Sequence, residues 1–173
     1  FEPFFTTKEV GRGTGLGLAV SLGLMRAQGG DLGLHSSSAD GCTFVIELPA
    51  AAPLQPHAAS IVLDRVQDAG NVGSMLRSAS ALGFKQVLAL EGTAGLWSPK
   101  VLRAGMGAHF ALDLIEGLSA VDLQALRVPL LAASAHATQA LHGAALPFPC
   151  AWVFGHEGQG VDDALAARCS MTL

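Results

Sequence analysis

Apolar positions along residues 14–28 fall at helical steps. Leu16, Val20, Leu24 and Ala27 lie four, four and three apart, and Gly29-Gly30 closes the run. Two short strand-like runs follow, Asp31–His35 and Thr43–Leu48. In the second, Phe44, Ile46 and Leu48 alternate with Thr43, Val45 and Glu47. The serine-rich segment 36–41 between the two runs predicts a hairpin turn. Pro53 and Pro56 then mark residues 50–59 as a linker.

From Ile61 onward the pattern changes to alternating strands and helices. Strands are predicted at 61–66, 86–90, 110–115, 130–133 and 151–154, with a last one starting at 171. Helices are predicted at 71–82, 98–106, 119–127 and 161–169. The first carries an apolar stripe of Val72, Met75, Leu76, Ala79 and Leu82, and Ser119 is placed as the N-cap of the third. Strands that alternate with helices predict an α/β fold, a mostly parallel sheet with helices on both faces. A helix and β-hairpin fragment precedes it.

Composition narrows the function classes. Half of the 173 residues are hydrophobic and 14% are charged, which excludes a disordered chain. The net charge of −4 argues against a general nucleic-acid coat, though not against an enzyme touching RNA at one patch. Cys42, Cys150 and Cys169 show no metal-ligand spacing and no disulfide framework, so a reducing, cytoplasmic setting is expected and no metal. Residues 128–156 contain no Asp, Glu, Lys or Arg. Three prolines, two histidines and a glutamine interrupt the inner part of this stretch, so it reads as buried strands and a loop, with no membrane span.

Two glycine-rich regions carry candidate chemistry. Gly11, Gly13, Gly15 and Gly17 alternate just before the first helix, where absent side chains and a helix N-terminus suit an anion. The run Phe1-Glu2-Pro3-Phe4-Phe5-Thr6-Thr7-Lys8, with Gly13-Thr14-Gly15-Leu16-Gly17-Leu18, resembles the ATP-lid end of sensor histidine kinases. Gly29-Gly30 and Thr43–Pro49 match that family's last hairpin. The resemblance covers residues 1–49 and lacks the family's phospho-accepting histidine region, magnesium-holding asparagine box and adenine-reading aspartate-glycine box. Phosphoryl transfer and specific ATP binding are therefore not expected of it.

The second region pairs two segments far apart in sequence. Asp64-Arg65-Val66-Gln67-Asp68-Ala69-Gly70-Asn71-Val72-Gly73-Ser74-Met75-Leu76-Arg77 runs from strand through turn into helix. Gly70, Gly73, Ser74 and Arg77 share a small or polar face, so Arg77 is either a solvated helix arginine or a site residue at the front of the sheet. Gly155-His156-Glu157-Gly158-Gln159-Gly160 follows the strand at 151–154. There the glycines permit tight turns and close approach to a ligand, and Glu157 is either a site carboxylate or simply a turn carboxylate or helix-dipole partner. Lys100 and Arg103 either steer phosphate or are plain surface, and His109 is either a base or structural.

Together with Lys100–Phe110, these runs resemble the SpoU/TrmH branch of the SPOUT RNA methyltransferases over residues 60–173. Ala69 stands where that family usually has proline, and His156 where it usually has asparagine. The resemblance implies methyl transfer from S-adenosylmethionine to a ribose 2′-hydroxyl of tRNA or rRNA. It implies Arg77, Asn71 and Glu157 as catalytic, with Arg77 activating the 2′-oxygen and holding the adjacent phosphate. It also implies Gly155, Glu157 and Gly160 at the cofactor, Arg77, Lys100 and Arg103 at the RNA, and a homodimer. The family's knot-forming third motif would begin at Met171-Thr172-Leu173, so the expected domain is truncated there, with its knot incomplete and its S-adenosylmethionine binding and methyl transfer weak or absent. The competing readings are an ATP-binding kinase fragment and a non-catalytic fusion or truncation product.

Overall fold

The computed structural model describes residues 1–5, 7, 13–27, 30–47 and 52–173. The chain divides into two units, Phe1–Ala50 and Ala51–Leu173. Of the sequence expectations, Thr6, Lys8, Gly11, Gln28, Gly29, Leu48, Pro49, Ala50 and Ala51 lie outside the described residues.

In the first unit, helix α1 (Gly17–Ala27) precedes an antiparallel hairpin of β1 (Asp31–Ser38) and β2 (Gly41–Glu47). The serines expected in the turn are strand instead. Ser36 pairs with Thr43 and Ser37 with Cys42, after a register shift between Leu34 and Ser36. Only Ala39 and Asp40 remain to turn the chain, and the Asp40 N–H donates to Ser38 Oγ at 3.1 Å.

The second unit is a six-stranded sheet whose pairings are all parallel, in the order β5-β4-β3-β7-β6-β8. Its strands are β3 (Ser60–Leu63), β4 (Gln86–Leu90), β5 (Asp113–Leu118), β6 (Leu130–Ala132), β7 (Ala151–Phe154) and β8 (Met171–Thr172). Continuous apolar runs become strands here because both faces are buried. Ile61, Leu63, Val87, Ala89 and Leu114 pack on one side with Val72, Leu76 and Val101 from helices α2 (Ala69–Ala81) and α3 (Pro99–Gly105). Val62, Leu88, Leu90, Ile115 and Val153 pack on the other with Leu123 and with Leu165 of α4 (Asp163–Ala166).

The proline-bearing stretch before β3 is hydrogen-bonded to this sheet. Gln86 is fully buried; its Oε1 accepts from the Gln55 N–H at 2.9 Å, and its Nε2 donates to Gln55 O and Ser60 Oγ at 2.8 Å each.

Three predicted elements are corrected. The strand expected at 110–115 starts at Asp113, because residues Ala108–Ala111 close a 3-10 turn after Gly107 at φ +89°. The helix expected at 119–127 is a single 3-10 turn, Asp122–Ala125. The predicted cap is reversed, since Asp122 Oδ2 accepts from both the N–H and the hydroxyl of Ser119 at 2.7 Å. The helix expected at 161–169 shrinks to α4, capped by Asp162, whose side chain accepts from the Ala164 and Leu165 N–H groups.

Candidate functional site

The chain runs outward from β3 to β4 and β5, then returns to place β7 beside β3. Such a reversal leaves a crevice at the carboxyl ends of the two central strands, where α/β sheets bind ligands. The segment from Asp64 to Asn71 leaves β3 at this point, and Gly155–Asp162 leaves β7. The two segments grip each other through carboxylates.

Glu157 reaches the segment between β3 and α2. Its carboxylate accepts from the backbone N–H of Asp68 at 3.0 Å, the N–H of Gln67 at 3.2 Å and Asn71 Nδ2 at 3.2 Å. Asp68 closes the ring as N-cap of α2, accepting from the Asn71 N–H at 2.7 Å. Glu157 thus satisfies N–H groups at a helix start, where an anion is favoured. These bonds hold its pKa far below the ordinary 4.5, at about 2. The Asp68 N–H is the largest cause, followed by the N–H of Glu157 itself, and Asn71 and Gln67 add to it. A carboxylate that acidic is a fixed anion at neutral pH, unsuited to taking a proton.

Asp64 makes the second bridge. It is buried, 3% exposed, and its Oδ2 accepts from the Asp162 N–H at 2.7 Å. Arg65 grips the same carboxylate in a fork, Nε to Oδ1 at 3.0 Å and Nη2 to Oδ2 at 3.1 Å, and its Nη1 donates to Gln159 Oε1 at 3.2 Å. The Asp64 hydrogen bond raises the Arg65 pKa above its ordinary value.

The glycines have distinct reasons. A Cβ on Gly155 would run into the backbone of Gly160 and Val161, so Gly155 lets its loop fold on itself. That loop is closed by His156 N–H to Gly160 O at 3.0 Å and Gly160 N–H to His156 O at 2.8 Å. Gly160 sits at φ +73° with open space where a Cβ would be. His156 Nδ1 accepts from the Gly158 and Gln159 N–H groups at 3.0 and 3.3 Å, which makes it an acceptor inside the loop. Gly73, expected on a polar face, is instead buried against α3. A Cβ there would overlap Ala104 and come within 2.8 Å of Gly105 N.

The structure therefore joins Asn71 and Glu157 directly. Arg77 lies six residues beyond Asn71, about 9 Å along the helix axis at 1.5 Å per residue. It is exposed on the same stripe as Gly73, one turn further on, with no hydrogen bond or ion pair among the described residues. Lys100 and Arg103 are likewise exposed and unpaired on α3, the helix packed against α2. His109 takes the structural role, 4% exposed, with Nε2 against Leu96 O at 2.8 Å.

Sequence reasoning missed Asp64, Arg65 and Gln159 as site residues. Arg65 adopts φ +59°, which nothing in its side chain signals. The bonds of Glu157, Asp64 and Arg65 between the two segments join positions 86 to 98 residues apart. Among the described residues no cluster of His, Cys, Asp and Glu suits a metal, and no helix is long and apolar enough to cross a membrane.

In the first unit the glycine loop packs on the phenylalanine run. Phe4 N–H donates to Gly15 O at 3.1 Å, and Gly15 stands at φ +65° against Phe4–Phe5 backbone. A cavity of about 350 Å³ lies between them, lined by Phe1, Glu2, Phe5, Gly13, Thr14, Gly15, Gly17 and Leu18.

Comparison with known proteins gives two family matches. Residues 58–173 match the SpoU rRNA Methylase family, and residues 1–52 match the histidine kinase-, DNA gyrase B- and HSP90-like ATPase family. The chain is 49% identical over 59 residues to rRNA methyltransferase 3, mitochondrial, of Xenopus tropicalis, covering 34% of this chain and 14% of that protein. It is 31% identical over 120 residues to the 23S rRNA (guanosine(2553)-2′-O)-methyltransferase RlmP of Bacillus subtilis, covering 65% of this chain and 47% of that protein. The chain thus spans less than half the length of either relative. A TrmH-family structure from Porphyromonas gingivalis superimposes with a TM-score of 0.66 and 31% identity, over 80% of this chain and 59% of that one.

Proposed function

The chain belongs to the SpoU rRNA Methylase family, and from that premise we propose that it transfers a methyl group from S-adenosylmethionine to a ribose 2′-hydroxyl of rRNA or tRNA. The observation that carries this reading is the Glu157 carboxylate gripping Gln67, Asp68 and Asn71 at the crevice between β3 and β7. It fixes the start of the helix that presents Arg77.

The residues present fit the cofactor. Gly160 leaves open space at its Cβ position, and the stretch 128–156 carrying β6 and β7 has no Asp, Glu, Lys or Arg. Gly155–Gly160 and the carboxyl ends of β6 and β8 would hold it through uncharged backbone. When bound, it supplies a methyl group already activated on a sulfonium.

The chain's own residues then act on the RNA. Arg77 supplies a guanidinium, a fork of N–H donors with no acceptor. It binds the adjacent phosphate and stabilises negative charge developing on the 2′-oxygen, whose proton passes to water. Asn71, held by Glu157, orients that group. Lys100 and Arg103 extend the cationic surface along α3 to the phosphate backbone. Glu157 orients and does not transfer a proton, as its depressed pKa supports. In this reading the protein works in the cytoplasm as a homodimer, and residues 1–49 form a separate histidine-kinase-like module. The test is methyl transfer by Arg77→Ala, which is expected to lose about 10²-fold or more in rate, the cost of removing one preorganised charge-stabilising donor.

A further inference from the structure

The Glu157 loop is held at its centre by its own carboxylate, but it is also pinned at Gln159 and Asp162 to the end of β3. Both pins converge on Asp64 and Arg65. Three features of β3 and of the segment after β4 are arranged around Arg65. Its φ of +59° is a conformation L side chains avoid. Thr93 Oγ1 accepts from the Arg65 N–H at 3.1 Å while donating to Leu63 O at 2.9 Å. Gly92, at φ +87°, makes room for the stem, since a Cβ there would stand 3.2 Å from Arg65 Cγ. A strained residue held by its surroundings points to a role at the site.

We infer that Asp64 and Arg65 form a latch that positions Glu157, and through it Asn71, for the methyl transfer proposed above. The side chain of Asp64 is 5% exposed, so its carboxylate requires partners, and the fork of Arg65 supplies two charge-assisted bonds. With Asp64 neutralised, Nη1 remains to hold Gln159, two residues from Glu157. The guanidinium thus sets the height of the loop over the crevice. Arg65 is a positioning residue that acts through Gln159 and Glu157. The inference rests on the functional reading above only for its effect on rate.

The experiment compares Arg65→Gly, Gln159→Leu, Gln159→Glu and the Arg65→Gly/Gln159→Leu double variant in the full-length protein. Glycine accepts positive φ, so Arg65→Gly removes the guanidinium while relieving the backbone. Thermal melting serves as the folding control. Amide hydrogen exchange at Gln159–Asp162 and steady-state methyl transfer to RNA are the readouts. Arg65→Gly is expected to melt well below the parent, because the buried Asp64 carboxylate loses its fork, yet to stay folded at the assay temperature. It is expected to exchange about tenfold faster at these amides and to lose about tenfold in kcat, with KM for RNA changed less than about twofold. Gln159→Leu, which leaves the fork intact, is the variant expected to melt within a few degrees of the parent. In exchange and rate it is expected to act alike, the double variant to add little, and Gln159→Glu, which keeps an acceptor, to restore protection. Exchange within twofold of the parent in Arg65→Gly would overturn the latch. So would a loss confined to KM, which would make Arg65 an RNA contact. If the parent transfers no methyl group, the functional reading fails and the exchange arm alone decides the latch.

Discussion

Replacing Glu157 tests the clamp by geometry and by charge together. Glu157→Ala deletes three hydrogen bonds, to the Gln67 and Asp68 N–H groups and to Asn71 Nδ2. Glu157→Gln is subtler. Its single carbonyl oxygen can replace Oε1, which serves Asp68 and Asn71, but its amide nitrogen then faces the Gln67 N–H, donor against donor. A fall in pKa from 4.5 to about 2 sets the scale. The side chain is exposed, so solvent screening reduces its value to about 1 kcal/mol for either variant at neutral pH. For a unit of this size that lowers Tm by roughly 4 °C. The folded-state pKa is depressed, so the stabilisation is complete above pH 4.5 and is lost as pH falls toward 2. The assay is urea unfolding of parent and Glu157→Gln across pH 7 to 2, read as the difference in midpoint, so that titrations common to both cancel. The difference is expected to shrink steadily below pH 4.5. A difference constant down to pH 2 would refute the charge-assisted clamp.

Other outcomes follow from the same geometry. Gly73→Ala is expected to destabilise the second unit by about 1–3 kcal/mol despite alanine's better helix propensity, because the new methyl meets Ala104 and the Gly105 backbone; thermal melting checks it. Arg77→Ala is expected to leave S-adenosylmethionine affinity within about twofold of the parent by calorimetry while the rate falls by about 10². A matching loss of cofactor affinity would move Arg77 from the RNA side to the cofactor side. His109→Ala is expected to cost stability more than rate, since the ring is buried against Trp97 and the Leu96 carbonyl; melting and kcat together separate the two.

Much of the fold was legible because both sheet faces are buried and the helices are amphipathic. The strand at 86–90 appears as the hydrophobic run predicts, and α2 starts two residues before its expected position. The serines of β1 and the 3-10 turn at Asp122–Ala125 were misread for a shared reason. Short polar side chains fit turns, caps and edges alike, and tertiary pairing chooses among them. In the site, Glu157 stood out through its glycine-rich loop, and Asn71 through the resemblance to the SpoU/TrmH branch alone. Asp64, Arg65 and Gln159 did not, because their value appears only once β3 and β7 are neighbours. Gly73 shows the converse, a glycine grouped with Arg77 on a small or polar face and whose reason is helix packing.

The most direct measurement is transfer of a labelled methyl group from S-adenosylmethionine to rRNA and tRNA by the full-length protein, followed by alkaline hydrolysis of the product. A 2′-O-methyl group removes the hydroxyl that alkali needs, so the label is expected in alkali-resistant dinucleotides and is expected to be lost with Arg77→Ala. Label recovered in mononucleotides as a methylated base, or no transfer to either RNA, would contradict ribose methylation at the crevice between β3 and β7.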